Sequence, residues 1–336
     1  MPGKDIVVIG ASAGGLEAVQ KLARALPKDF PASLFVVLHT APDSPGVLAQ
    51  IIDSAGPLPA THAVHGERIE RGHIYVAPPD HHLLIAPGKI EVTRGPKENR
   101  FRPAVDPLFR SAAQTYGPRV VGVILSGGLD DGTNGLGAVK KLGGTTIVQD
   151  PAEAIAPSMP LSAIRHVEID HTIGIDELAP LLMRLATTPA DAPEGEIAVP
   201  ENVKIEVDIA REDKARDVGV LELGEPSYYA CPECHGVLLQ MKDATPIRFR
   251  CHTGHAYTLE SLLADMDEMI EDSLWNAIRA LEERVMLLRQ AEEHERQAHG
   301  GGQTLGDEAA ATQSRADLVR QAVMNGDADR ASGANG

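Results

Sequence analysis

Short apolar runs rich in β-branched residues alternate with helical patterns through the first half of this chain. No other sequence feature narrows its folding options as much. The runs are Ile6–Ile9, Leu34–Leu38, Ile74–Ala77, Val120–Leu125 and Thr145–Val148, with helical spacing over Leu16–Leu26 and Val47–Ser54. Runs apolar at consecutive positions suit strands buried on both faces, and helices between them supply the crossovers that parallel pairing requires. The expected fold is therefore α/β, a doubly wound and mostly parallel sheet with helices on both sides. Leu83–Val92, broken by Pro87-Gly88, reads as an antiparallel β-hairpin on that scaffold.

After Leu185 the text changes to Thr187-Thr188-Pro189-Ala190-Asp191-Ala192-Pro193-Glu194-Gly195-Glu196, which has no apolar period and suits a linker. The first domain is thus expected over residues 1–188 and an irregular connection over 189–226, in which the alternation from Val203 to Ile209 fits a strand. All three cysteines fall in 227–258, and a helix is predicted over 259–298. Leu274, Ile278, Leu281, Val285 and Leu288 follow 4-3-4-3 steps, the seam of a coiled coil, whereas Leu263, Met266 and Ile270 break that register. The seam predicts either a homodimer through this helix or an amphipathic helix packed on its own domain. Beyond Gly300-Gly301-Gly302 the residues are small and polar, so 299–336 is expected to be a mobile tail.

Charge excludes some functions. The chain carries 31 Lys and Arg against 48 Asp and Glu. The acidity lies in the C-terminal part, where residues 191–336 hold 14 basic against 29 acidic side chains. A surface for nucleic acid needs cations against phosphate and aromatic rings for stacking, and only 3% of residues are aromatic. No apolar run reaches 18 residues and the N-terminus lacks a signal-peptide layout, so no membrane insertion and a cytoplasmic location are expected.

The segment Ile6 to Leu16 runs strand, glycine turn, helix. As a dinucleotide loop it fits badly, because Ser12 stands where a glycine should let backbone approach a pyrophosphate, and His39 rather than an acid ends the next strand. Gly10-Ala11-Ser12-Ala13-Gly14 does match GxSxG, but an α/β-hydrolase places that serine after several earlier strands. A third reading needs only topology. In an open parallel sheet all strands end on one edge, so Ser12, His39 and Asp131, which follow three different strands, meet on one rim. They are the residue types of acyl transfer: a hydroxyl nucleophile, an imidazole base and a carboxylate that orients it. Singly, each also has an ordinary reading as a cap, loop or turn residue.

Gly10–Gly15, Leu38-His39, Arg102–Ala113, Leu125–Gly132, and Gln149-Asp150 with Ser158-Met159-Pro160 closely resemble the catalytic domain of chemotaxis protein-glutamate methylesterases. The resemblance implies Ser12 as nucleophile, His39 as general base and Asp131 as its orienter. It further implies that the substrate is a glutamate methyl ester on a methylated chemoreceptor-like protein, often with glutamine deamidation besides, and that catalysis needs no cofactor. Members of that family usually carry a phospho-receiver domain ahead of this one. Here Ser12 is the twelfth residue, so a different switch is expected. Gly128 and Leu129 stand where the pattern usually has methionine and glycine, and Ala13 where threonine is common. The backbone N–H groups of Ala13 and Gly128 are the candidate oxyanion donors. The alternative from another class is a signalling adaptor that uses the same rim to bind protein.

Cys231-Pro232-Glu233-Cys234 is followed by Cys251-His252-Thr253-Gly254-His255. CxxC and then CxxxH at this interval suit two knuckles joined by a short hairpin, with zinc held by Cys231, Cys234, Cys251 and His255. His255 is preferred to His252 because the residue adjacent to Cys251 must turn sharply to share a metal with it. A redox CxxC is the rival reading, but no thioredoxin-like pattern surrounds this one. Such a closed set stabilises folding rather than doing chemistry, so a chelator is expected to unfold this module and spare the domain before it. His62, His65, His73, His81 and His82 have no metal spacing and are expected to make loop hydrogen bonds. The block Arg102 to Asp106 is expected to set a loop and cap a helix over Pro107–Gln114, with Arg102 able to grip a carboxylate.

Overall fold

The computed structural model describes residues 3–190, 198–211, 215–242, 244–299 and 302–333. The first eight strands and five helices are β1 (Ile6–Ala11), α1 (Gly15–Ala25), β2 (Ser33–Leu38), α2 (Leu48–Asp53), β3 (Ala60–His62), β4 (Ile74–Val76), β5 (His82–Ala86), β6 (Lys89–Thr93), α3 (Val105–Tyr116), β7 (Val120–Ile124), α4 (Thr133–Lys141), β8 (Thr145–Gln149) and α5 (Ser158–His166). A last strand, β9 (His171–Ile173), and α6 (Ile175–Thr187) complete the layered domain. The main sheet has the order β3-β4-β2-β1-β7-β8-β9, and every pairing in it is parallel.

β1 shows why the sheet is covered twice. Val7, Ile9 and Ala11 face one core with residues of α1, α2 and α6, while Ile6 and Val8 face a second core with residues of α3, α4, α5 and the β5–β6 hairpin. Side chains alternate across a strand, so a strand apolar at every position fills both layers. The order reverses at β1, which lies between β2 and β7, and this places a crevice at the carboxyl ends of those strands. The hairpin read at Leu83–Val92 is β5 with β6, antiparallel from His82↔Thr93 to Ala86↔Lys89.

The segment after this domain departs from its expected form. Glu201–Arg211 is a helix, α7, not a strand at Val203–Ile209. Val203 and Val207 lie four apart and pack into the second core, so the apparent alternation was the overlap of two buried stripes, Val203/Val207 and Ile205/Ile209. Part of the expected linker, 191–197, lies outside the described residues, and Thr187 still belongs to α6.

A four-stranded antiparallel sheet follows, made of β10 (Gly224–Ala230), β11 (Val237–Met241), β12 (Arg248–Cys251) and β13 (Ala256–Thr258). It belongs to the same compact unit as the layered domain, Met1–Leu262. Its own core is Cys231, Leu238, Phe249, Cys251, Tyr257 and Leu262.

The second unit, Leu263–Gly336, contains most of α8 (Leu259–His299) and α9 (Gln303–Gly333). Most of the expected mobile tail, Gln303–Gly333, is therefore helical. Ile278 and Val285 of the seam are buried, and so are Ala309, Thr312, Ala316 and Val323 of α9. Arg284 pairs with Glu308 and Arg320 with Glu282, which places α9 beside this stretch of α8. Within the chain, α9 covers this part of the seam. Alanines and a threonine carry the facing heptad, which is why its apolar period was faint.

Candidate active site

β1 ends at Ala11 and the chain reverses through Ser12, Ala13 and Gly14 into α1. The Ser12 N–H donates to Ser126 O at 2.9 Å and the Gly15 N–H to Ser12 O at 2.8 Å, which fixes the turn. Gly14 sits at φ 73°, and a Cβ there would fall 2.5 Å from Ile155 Cβ and 2.8 Å from Ser126 Oγ, so no other residue fits. A Cβ on Gly127 would likewise stand 3.0 Å from Ser12 Cβ, so the loop after β7 presses directly on the serine.

His39 follows β2, and its N–H donates to Ala11 O at 3.2 Å, tying it to the strand that delivers Ser12. Its Nε2 lies 2.7 Å from Asp131 Oδ2, and its ring stacks on Phe101 with centroids 3.6 Å apart. The other ring nitrogen, Nδ1, is buried without a hydrogen-bond partner. Ser12 and His39 line one cleft of about 330 Å³, together with Pro42, Lys97, Arg100 and Phe101. No hydrogen bond joins Ser12 to His39 among the described residues, and Nδ1 is the ring atom left to make one.

Asp131 is buried on the loop between β7 and α4. Its carboxylate also accepts the Val105 N–H at 2.7 Å, the Asn99 Nδ2 at 2.9 Å and the Asp106 N–H at 3.3 Å. Burial alone would push this carboxyl up. The hydrogen bonds and the charge of His39, with the Val105 N–H and Asn99, instead hold it below the usual aspartate range. Asp106 goes the other way: burial and the neighbouring Asp131 raise it to about 6. Asp130, which accepts the Thr258 hydroxyl at 2.7 Å, is raised to about 7, chiefly by burial.

The N–H groups of Ala13 and Gly128 donate to no acceptor among the described residues. A Cβ on Gly128 would meet nothing within 4 Å, so this backbone faces open space. The bland readings of the histidines stand: His62 bonds Gly46 O, His65 Val92 O, His81 Pro79 O and His82 Pro96 O, while His73 bonds the Thr61 hydroxyl. Arg102 is held by Asp80 at 2.7 Å and by Gly95 O at 2.9 Å, so its guanidinium sets the loop. The helix after it runs from Val105 to Tyr116, with Ala104 rather than a capping side chain ahead of it. Asn99 and Phe101 escaped a role in the sequence reading, and Asp106 had only that of setting a loop and capping a helix. Asn99 and Phe101 stand just ahead of the Arg102 block, with no period to mark them.

The ligand atoms of Cys231, Cys234, Cys251 and His255 all lie within 4.8 Å of one another, a group able to hold a metal ion. His255 takes part through Nδ1, 3.7 Å from Cys231 Sγ and 3.6 Å from Cys251 Sγ, and the sulfurs of Cys234 and Cys251 are 3.6 Å apart. The Thr253 hydroxyl stands over the face made by Cys234, Cys251 and His255.

A doubly wound sheet that carries a serine turn, a histidine and a buried aspartate along one edge has the framework of a serine hydrolase. The CheB methylesterase family model matches residues 7–182, and the chain belongs to that family. The catalytic domain of Thermotoga maritima CheB methylesterase superposes with a TM-score of 0.52 at 36% identity, covering 54% of this chain and 98% of that one. A protein-glutamate methylesterase/protein-glutamine glutaminase of Anaeromyxobacter dehalogenans is 38% identical over 181 residues, and one of Geobacter metallireducens 40% identical over 182. The chain spans about half the length of these two relatives, 53% and 48%. The likeness also covers about half of this chain, and the family model ends at residue 182, ahead of the cysteine module. No described helix is long and apolar enough to cross a membrane.

Proposed function

We propose that the chain hydrolyses methyl esters of glutamate side chains on a methylated chemoreceptor-like protein, and deamidates glutamine by the same route. The observation that carries this reading is the 2.7 Å contact of His39 with Asp131 at the strand edge that also bears Ser12. With Nε2 engaged by the carboxylate, Nδ1 is the atom that takes the Ser12 proton as Oγ attacks the ester carbonyl. The ionised Asp131 stabilises the imidazolium that results. The N–H groups of Ala13 and Gly128 are the donors free for the oxyanion, and removal of one such donor costs about 3 kcal/mol of barrier. The imidazolium then returns its proton to the departing methoxide. Water, deprotonated at the same nitrogen, releases glutamate from the acyl-enzyme.

The cysteine module is read as a structural zinc site. Zn–S bonds of about 2.3 Å in a tetrahedron set ligand separations of about 3.8 Å, close to the 3.6 and 3.7 Å between these ligand atoms. Four protein ligands leave no open position, so the metal would stabilise the fold. The test of the esterase reading is methanol release from a methylated receptor fragment. Wild type should release it and Ser12→Ala should not, with the circular dichroism spectrum unchanged. Equal release by both proteins rejects Ser12 as the nucleophile.

A further inference from the structure

The cysteine module does not hang beside the esterase domain; its last strand grips the loop that builds the active site. His255 is followed directly by β13. The Ala256 N–H donates to Lys97 O at 3.2 Å, and Ala256 O accepts the Asn99 N–H at 2.8 Å. The Thr258 N–H donates to Asn99 Oδ1 at 3.1 Å, and Asn99 Nδ2 donates to Asp131 Oδ1 at 2.9 Å. From metal ligand to triad carboxylate the path is three residues of strand and one side-chain amide. A parallel route joins the Thr258 hydroxyl to Asp130, the neighbour of Asp131, at 2.7 Å.

The Asn99 amide is the sensitive link. Its two ends differ in hydrogen-bond sense, and only the orientation with nitrogen toward the carboxylates is favourable, because Oδ1 would repel them. The Thr258 N–H holds the oxygen end. Should β13 leave, that end loses its main donor and Asn99, at φ 50°, loses the strand that fixes its backbone.

The knuckles are fastened to the same region at other points. Lys97 pairs with Glu233 at 2.5 Å. Arg250, next to the ligand Cys251, bonds Glu98 at 2.9 Å and Gly254 O at 2.7 Å. Gly254, at φ 104°, is so close to the first domain that a Cβ would fall 2.7 Å from Pro96.

The module's own core has six buried residues, and two of them are Cys231 and Cys251. So small a core does not hold two knuckles closed without a staple, and bound metal supplies it. We propose that the Cys3His module is a positioning element of the esterase. Zinc at Cys231, Cys234, Cys251 and His255 holds β13 on Asn99, and through Asn99 sets the Asp131 carboxylate that orients His39. This rests on the esterase reading above and deepens it. It also reverses the expectation that chelation would spare the first domain.

The experiment uses the full chain, with zinc content measured before and after chelation and after zinc is added back. Chelation should lower kcat about ten-fold or more with KM little changed, and added zinc should restore it. The low-field proton resonance of the His39 Nε2–H···Asp131 bond should broaden or vanish with the metal and return with it. Full kcat, or an unchanged resonance, in chain shown to be metal-free overturns the proposal. A zinc-loaded chain without esterase activity defeats the esterase reading instead, and the resonance still decides the coupling. If chelation unfolds the whole chain, Asn99→Asp decides, since it keeps all four ligands and the shape of the side chain but cannot donate to Asp131. Asn99→Asp should lower kcat at unchanged zinc content, with KM little changed and the His39–Asp131 resonance broadened. Wild-type kcat in Asn99→Asp then overturns the proposal.

Discussion

Asp106 and Asp131 share one donor group: Asn99 Nδ2 lies 3.0 Å from Asp106 Oδ2 and 2.9 Å from Asp131 Oδ1. Both carboxyls are buried, and two adjacent charges cannot both be stabilised equally there. The structure resolves the conflict unevenly. Asp131 has His39 and the Val105 N–H and stays ionised, whereas Asp106 is raised to about 6. Asp131, which faces the imidazole, thus keeps its charge as pH falls, and Asp106 is the first of the two to take up a proton.

The first prediction concerns that charge. Asp131→Asn keeps the shape of the side chain but presents His39 with a neutral group that can donate as well as accept, so neither tautomer nor imidazolium is stabilised. Hydrolysis should fall by about 10³-fold or more. Steady-state kinetics on a methylated receptor fragment should place the loss in kcat, at an unchanged circular dichroism spectrum. A loss in KM alone would mean that Asp131 serves substrate binding.

Asp130 yields a pH-dependent prediction. Burial, helped by Glu260, Asp106 and Asp131, raises its carboxyl to about 7, although the Thr258 hydroxyl opposes the shift. Below the unfolded value of 3.8 the group is protonated in both states and has no effect. As pH rises from there toward 7, the unfolded chain loses the proton first and folding stability falls. The full cost is on the order of 4 kcal/mol once the native carboxyl also ionises. Asp130→Asn escapes this cost. Urea titrations should find it more stable than wild type near pH 8 and nearly equal near pH 4. An equal difference at both pH values would contradict the raised carboxyl.

How much of this was legible in the sequence depended on how local each signal was. Ser12, His39 and Asp131 each follow a strand readable from its own apolar run, so topology alone predicted a shared edge. The cysteine spacing is equally local and identified His255 over His252. What stayed hidden are long-range polar partners. Asn99 reaches Thr258 across 159 positions and Glu98 reaches Arg250 across 152, and a single sequence has no period that links such residues. The helical region 201–211 was misread because two apolar stripes on one helix mimic strand alternation over seven residues. α9 was missed because its seam is built of alanine and threonine, which carry little hydrophobic signal.

The buried charge network that joins α7, α3 and β12 carries the third prediction. Glu206 accepts Arg248 at 2.6 and 3.0 Å and Arg250 at 2.8 Å, and Arg110 lies 3.5 Å away. Burial opposes ionisation of Glu206, but the three arginines hold it far below the usual glutamate range. Glu206→Ala leaves guanidinium groups buried and underpaired, a loss of about 3–5 kcal/mol. The stabilisation from a depressed carboxyl is present above its unfolded value and is lost as pH falls toward the folded one. The gap between wild type and variant should therefore be full at neutral pH and shrink in acid, as read from urea midpoints. A gap independent of pH would assign the loss to packing.

The last prediction concerns the seam on α8. Ile278 and Val285 are 2% and 3% exposed, and Ala316 of α9 is fully buried, so the heptad that could have joined two chains is used within one. A chain ending at residue 299 keeps Ile278 and Val285 but loses the helix that covers them. An uncovered seam of this period associates with its like. Sedimentation velocity should show the truncated chain forming dimers or larger species while the full chain does not use this seam, and Ile278→Asp in the truncated chain should abolish the association. A full chain whose dimer is disrupted by Ile278→Asp would show instead that α9 exchanges between copies.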